Sequence, residues 1–345
     1  MRDRHWKELR IEVKEDFDEN SPDFTLEKVF SLNLLQHQEK IGEITGHATQ
    51  QLKIEKSLDS IENLWEHDPK TNLEIEMTYT KGSNDACYKI STTENIITLI
   101  EEHSGDLAKH KSSPFYKQFD DKIDMWENNI AKITETLEIL MVVQERWQYL
   151  ESIFGGQAHI QKQLAQEYSI FKSVDVTFRN EMTRIHKIKN AYRALVEDAR
   201  DFINILNKLN VDLEVVQKKL NDLLAAKRAN FPRFYFLSNE DLLEIIGQAL
   251  NPVAINKHIK KIYEGINKIE TEITTQGKGV KEHMITHVVA EDGERLAVQE
   301  LSQSQPLILA TTVESWMKNL TDASQVALMK EFYSYAQTAP PTMGR

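Results

Sequence analysis

Phe119, Ile123, Trp126, Ile130, Ile133, Leu137, Leu140, Gln144, Trp147 and Leu150 follow one another by steps of four and three residues, nearly in alternation. On a helix this heptad spacing gathers the side chains into one stripe, which another element must cover. Gln144 is the polar member of that stripe. As one helix, Phe119 to Phe154 spans roughly 54 Å at about 1.5 Å per residue, and Gly155-Gly156 is its natural stop. A second seam, Tyr192, Leu195, Ala199, Phe202, Leu206, Leu209, Leu213, Val216, Leu220 and Leu223, is as regular. It ends at Phe231-Pro232, because proline lacks an amide donor and restricts the residue before it. Two such seams joined by a broken middle predict helices packed antiparallel or in sequence in a bundle. Only 12 Gly and 8 Pro among 345 residues leave room for such long helices.

Other stretches predict smaller elements. Residues 1–23 are polar, with scattered apolar points, and Ser21-Pro22-Asp23 marks a turn. A helical pattern then runs to about Trp65, its face carried by Ile41, Ile44, Ala48, Leu52, Leu58, Ile61 and Trp65. Leu73, Ile75, Met77 and Tyr79 alternate with polar residues, the period of a half-buried strand. Lys81 to Asp85 is turn chemistry, and Cys87 to Ile90 returns as a second strand. A short helix from about Thr93 to His110 follows. Ser238 is placed to cap a helix with acidic residues in its first turn. Asn251-Pro252 starts another, with face Ile255, Ile259, Ile262, Ile266 and Ile269. Met284 to Ala290 and Arg295 to Gln299 form a second hairpin around Asp292-Gly293, and about Pro306 to Gln337 is helical. The fold class is therefore mainly α, an elongated array of helical bundles with one or two small β-hairpins. Its blocks are 1–112, 113–230 and 231–338, with 339–345 an exit.

The formal net charge of −12 argues against nucleic acid as a partner, since neutralising phosphates needs a basic surface. The single cysteine, Cys87, allows no intrachain disulfide and suits a reducing cytosol. No apolar run reaches the length of a membrane span. Catalytic motifs are wanting: there is no Gly-x4-Gly-Lys-Ser/Thr phosphate loop, and Gly277-x-Gly279 reads as a loop. His283 and His287 fall in a strand without a third ligand, so no metal site is assigned. Cys87 reads as a packed strand residue rather than a nucleophile. Asn319-Leu320-Thr321 has the glycosylation pattern, which a cytosolic chain does not use. Paired acids such as Glu101-Glu102 and Asp120-Asp121 read as solvated helix faces. Heptad seams are more often core than partner-helix sites, and Phe231, Phe234, Tyr235 and Phe236 are expected to be core at a helix break.

Several runs carry a resemblance. Trp147-Gln-Tyr149-Leu150-Glu151-Ser-Ile153-Phe154 resembles a Trp-x-Tyr-Leu-Glu-x-Ile-Phe segment of dynein heavy-chain linkers. Phe231-Pro232-Arg233-Phe234-Tyr235-Phe236-Leu237-Ser238-Asn239-Glu240-Asp241-Leu242-Leu243-Glu244-Ile245, after Leu220 to Arg228, is the most specific match. Arg4-His5-Trp6, Val174-Asp175 with Arg179, Lys260-Lys261 and Asp292-Gly293-Glu294 extend it over nearly the whole chain. Ala165 stands where the family often has Pro, Phe178 replaces a frequent Trp, Tyr235 a Phe, and an Asp usual before Ile160 is missing. The resemblance implies a helical lever without catalytic residues, metal or cofactor of its own. It arches over a ring of AAA+ modules of the same polypeptide, which bind ATP and Mg, and 339–345 leads to the first of them. Implied partners are that ring, other heavy, intermediate and light chains through an upstream tail, and microtubules through a stalk. No nucleic acid or membrane is implied. The implied setting is cytoplasm and cytoskeleton, in a cilium or flagellum axoneme. The bend of such a lever is expected around Ile153 to Ser173, with Gly155 and Gly156 as hinge candidates. The alternative is a spectrin-like helical spacer or scaffold, whose bundle physics looks the same, although no fixed repeat recurs here.

Overall fold

A computed structural model describes residues 1–79, 86–155, 158–199, 201–276, 280–298, 307–310 and 312–338. It is mainly α with two small antiparallel sheets. The chain divides into two compact units, the first holding Met1–Tyr79, Asp85–Gln144 and Thr177–Asn210, the second chiefly Glu145–Val176 and Val211–Arg345.

In the first unit, the polar N-terminal stretch forms helix α1 (Asp3–Val13). Its Leu9 is buried with Phe17, Leu32 and Ile44, and Trp6 packs edge-on to Phe17. The helical pattern ending at Trp65 is not one helix. A short α2 (Leu26–Ser31) and a 3-10 turn precede α3 (Gln38–His67), because Asn33 takes a left-handed conformation between them. The buried face of α3 is Ile44, Gln51, Ile54, Leu58, Ile61 and Trp65, whereas Leu52 is exposed. Gln51 is tolerated there because its Oε1 accepts from Arg4 Nε at 2.8 Å and lies 2.9 Å from His5 Nε2.

Strands β1 (Glu74–Tyr79) and β2 (Ala86–Thr92) pair as the alternation predicts, with Ile75 opposite Ile90 and Met77 opposite Tyr88. The predicted turn Lys81 to Asp85 lies outside the described residues. Cys87 is a buried strand residue. Met77 and Tyr79 are exposed, so only the Leu73 end of this apolar row is covered. Helix α4 (Glu94–Lys111) follows, then α5 (Asp120–Phe154). Every seam residue from Ile123 to Leu150 is buried. The polar member of the seam reaches the sheet, where Gln144 Oε1 accepts from Ile90 N at 2.8 Å and its Nε2 donates to Ile90 O at 2.9 Å. One amide thus satisfies both backbone groups of a residue on the β2 edge, which a Leu at that position would leave orphaned.

The middle of the chain is more helical than its sequence suggests. Helix α6 (Ala158–Gln163) is followed by α7 (Ala165–Ile188). Phe171, Val174, Phe178, Met182 and Ile185 are its buried stripe, at the three- and four-residue steps of one face. The second predicted seam is interrupted. Residues Arg193–Glu197 form a π-helical turn closed by Asp198 N donating to Arg193 O at 2.8 Å, and α8 (Phe202–Asn230) begins only after Asp201, whose φ is 57°. Aspartate tolerates that conformation because its short polar side chain bonds locally, here accepting from Asn204 Nδ2 at 2.8 Å. Arg184 Nη1 donates to Ala194 O at 3.0 Å and its guanidinium lies 4.9 Å over the Phe202 ring, fastening the break. On α8, Leu224 is fully buried at the end of the stripe and Leu223 only half-buried.

In the second unit, α9 (Asn239–Gly247) and α10 (Pro252–Ile262) start as expected: Ser238 Oγ accepts from Asp241 N, and Asn251 Oδ1 from Val253 N, both at 3.1 Å. Helix α10 stops at Ile262, so Ile266 and Ile269 are not on its face. Ile269 instead lies in β3 (Lys268–Gln276), which pairs with β4 (Val280–Val289), and β4 pairs with β5 (Arg295–Ala297). The alternating β-branched residues Ile269, Thr271, Ile273 and Thr275 carry strand propensity that outweighs the four-residue spacing of isoleucines. The Asp292-Gly293 turn is present, with Gly293 at φ 91°, where a side chain is strained. Asn256 repeats the role of Gln144: its Nδ2 donates to Ile269 O at 3.0 Å and its Oδ1 accepts from Ile269 N at 2.8 Å. Helix α11 (Val313–Thr338) ends the described chain; Ile308 before it bridges to Met284. Gly277, Gly279, Pro306 and the 339–345 exit lie outside the described residues.

Candidate functional site

Two helix breaks in the second unit hold nearly all the motif residues. At the first, α5 ends with Gly155 N donating to Glu151 O at 2.8 Å, and Gly155 is exposed. Gly156 is outside the described residues. Phe154 is buried, with its ring centroid 5.4 Å from Tyr168 and 5.2 Å from Phe171 on α7. Gln161 Nε2 donates back to Phe154 O at 2.6 Å, filling one of the carbonyls left open at the helix end. Trp147 is buried, and its indole N–H donates to Asp175 Oδ1 at 3.0 Å, so two separate motif runs meet here. Leu150 is fully buried.

The second break follows Asn230. Pro232 opens a 3-10 turn, Pro232–Phe236, at the position where its missing N–H is harmless. Phe234 is fully buried and meets Phe231 edge-on at 4.9 Å. Tyr235 and Phe236 are 68% and 71% exposed, which corrects the expectation that the whole aromatic run is core. A 3-10 turn spreads successive side chains around its axis, so neighbours in sequence cannot all face inward.

Arg228, on the last turn of α8, organises this corner. Its guanidinium donates to Phe234 O at 3.4 Å, Leu237 O at 3.1 Å and Asn239 Oδ1 at 2.9 Å. Burial pushes up the pKa of the Tyr149 hydroxyl. Arg233 donates to Ile262 O at 3.3 Å and covers the Tyr263 ring at 4.9 Å. Tyr263 in turn donates its hydroxyl to Met317 O at 2.9 Å, and burial raises its pKa too. Lys227 and Glu314 form an ion pair at 2.6 Å that is almost wholly covered. Beside the corner, α9 and α10 are joined by charge. Asp241 lies 2.6 Å from Lys261 and 3.2 Å from His258 Nδ1; Glu244 lies 2.9 Å from Lys257 and from His258 Nε2. The Lys261 bond holds the Asp241 carboxyl below its ordinary pKa, and the Lys257 and His258 bonds do the same for Glu244.

Tyr263 was not a candidate from sequence, and Lys227 and Arg228 entered only as the end of the run before Phe231, because nothing local marks which carbonyl or carboxylate a long side chain reaches. His283 and His287 lie on β4, beside Thr271 and Thr286 hydroxyls respectively. Among the described residues no three His, Cys, Asp or Glu side chains gather as metal ligands, and no helix is long and apolar enough to cross a membrane.

This arrangement is that of a mainly α protein whose ordered polar groups brace corners between helices. The family model described as Dynein heavy chain, N-terminal region 2, matches residues 1–335, and the chain belongs to that family. It is 35% identical over 333 residues to the Dynein-1-beta heavy chain of the flagellar inner arm I1 complex of Chlamydomonas reinhardtii, covering 96% of this chain and 7% of that one. It is 36% identical over 328 residues to Dynein axonemal heavy chain 2 of Homo sapiens, covering 95% and 7%. A cytoplasmic dynein heavy chain of Paramecium tetraurelia is 31% identical over 274 residues, covering 79% of this chain and 6% of that one. The chain thus spans about 7% of the length of the axonemal relatives it matches.

Proposed function

We propose that the chain is the mechanical linker of a dynein heavy chain in an axoneme, a lever that bends and straightens as an AAA+ ring of the same polypeptide binds and hydrolyses ATP with Mg. The family match over residues 1–335 carries this reading. Axonemal and flagellar names among the relatives support its setting. The helical build supports it physically, since long helices transmit displacement while their breaks absorb it. The bend falls around Ile153 to Ser173, where α5 gives way to two further helices. ATP turnover belongs to the ring, microtubule binding to a stalk, and intermediate and light chains to the tail.

Replacing Gly155 and Gly156 with Ala in the intact motor tests the reading. Helix propensity rises by about 1 kcal/mol per Gly→Ala exchange, so the break stiffens. Microtubule gliding slows while the melting temperature stays within a few degrees of wild type. Unchanged gliding removes the bend from this segment; a spacer function predicts no motility effect from stiffening anywhere in the chain.

A further inference from the structure

The connection between α7 and α8 reaches far back in sequence. Asn190, which is buried, donates its side-chain N–H groups to Trp65 O at 2.8 Å and Thr71 Oγ1 at 3.0 Å. Its Oδ1 accepts from Arg193 N at 2.9 Å, the bond of a helix N-cap, at the entrance to the π-helical turn. The backbone joins in: Leu73 N donates to Lys189 O at 2.8 Å, and Asn72 and Asn190 form an antiparallel bridge. Lys189 sits at φ 63°, the left-handed region, which turns the chain towards these partners. Trp65 is fully buried and donates its indole N–H to His103 Nδ1 on α4 at 2.9 Å. Trp126 of α5 lies 5.3 Å from Tyr192. One asparagine therefore uses both amide hydrogens and its oxygen to tie the end of α3 to the start of the segment leading into α8.

We propose that Asn190 is a positioning residue that makes α3 and the α7–α8 connection move as one body, so that displacement entering one is delivered to the other. A carbonyl at a helix end and an amide at a helix start are the groups each element leaves open, and Asn190 closes one of each. Directional bonds to two elements resist sliding in a way that the surrounding apolar contacts do not. The structural part of this stands on the geometry alone; its consequence for movement rests on the lever function.

The test compares Asn190→Asp and the neutral Asn190→Ser in the intact heavy chain. Either side chain still accepts from Arg193 N, and neither can donate as the amide does to both Trp65 O and Thr71. Hydrogen exchange at Leu73 rises about tenfold while Arg193 stays protected, and gliding slows at unchanged ATP turnover. Wild-type protection at Leu73 in both variants overturns the proposal, as does equal loss at Arg193. If Leu73 loosens and gliding holds, while the Gly155/Gly156 exchange does slow gliding, the coupling is wrong and the lever stands. If neither slows gliding, the coupling is wrong and the bend does not lie at Gly155 and Gly156.

Discussion

The break after Phe154 and the corner after Asn230 each end a long helix in the same unit, yet they are closed by different contacts. At the first, the described clasp is largely aromatic: Phe154 against Tyr168 and Phe171, with side-chain bonds from Gln161 to Phe154 O and from Trp147 to Asp175. At the second, Arg228 alone reaches three oxygens, Arg233 a fourth, and Ser238 caps the next helix. Ring contacts are weakly directional and lose energy gradually as surfaces shift, whereas hydrogen bonds weaken steeply with angle. Among the described contacts, apolar packing thus weighs more at the first break and directional bonds at the second. The motif density of both is alike in sequence; only the kind of closure separates them.

Substitutions sharpen that contrast. Phe234→Ala removes a fully buried ring from the corner and lowers stability by about 3–5 kcal/mol; an unchanged denaturant midpoint would mean the corner is not packed as described. Arg228→Lys keeps the charge but loses the planar fork, at a cost of about 2 kcal/mol. An equally conservative change at the first break, Phe154→Leu, costs about 1 kcal/mol because an apolar clasp repacks. If the two cost the same, the distinction between directional and apolar closure does not hold.

The smallest effect is in pH. The Asp241 and Glu244 carboxyls titrate below their ordinary values when folded, so unfolded chains bind protons first as pH falls. Their contribution is complete above the ordinary carboxylate range and is lost as pH falls below that range through the lowered folded values. Limited proteolysis between pH 7 and 3.5 shows cutting near α9 and α10 before cutting near Phe154, and Asp241→Asn reduces that difference. His103 acts in a higher window: burial holds its imidazole below the ordinary value, keeping Nδ1 free to accept from Trp65. That support is present above about pH 6.5 and declines as pH falls below it.

Local patterns determined a good deal of this protein. The seam of α5, the Ser238 and Asn251 caps, the two hairpins and the Asp292-Gly293 turn were legible, because periodicity, capping and turn chemistry act over a few residues. The runs around Trp147 and Phe231 also marked the family. Tertiary structure decided the rest. It broke the second seam at the Arg193–Glu197 turn, made Ile269 a strand residue paired with Val288 rather than the last turn of a helix, and turned Tyr235 and Phe236 outward. It also gave Gln144 its purpose, an edge residue 54 positions away, and Asn190 its partners, 119 and 125 positions away. A buried polar group must find its complement wherever the fold brings one, and that distance is invisible to any window along the chain.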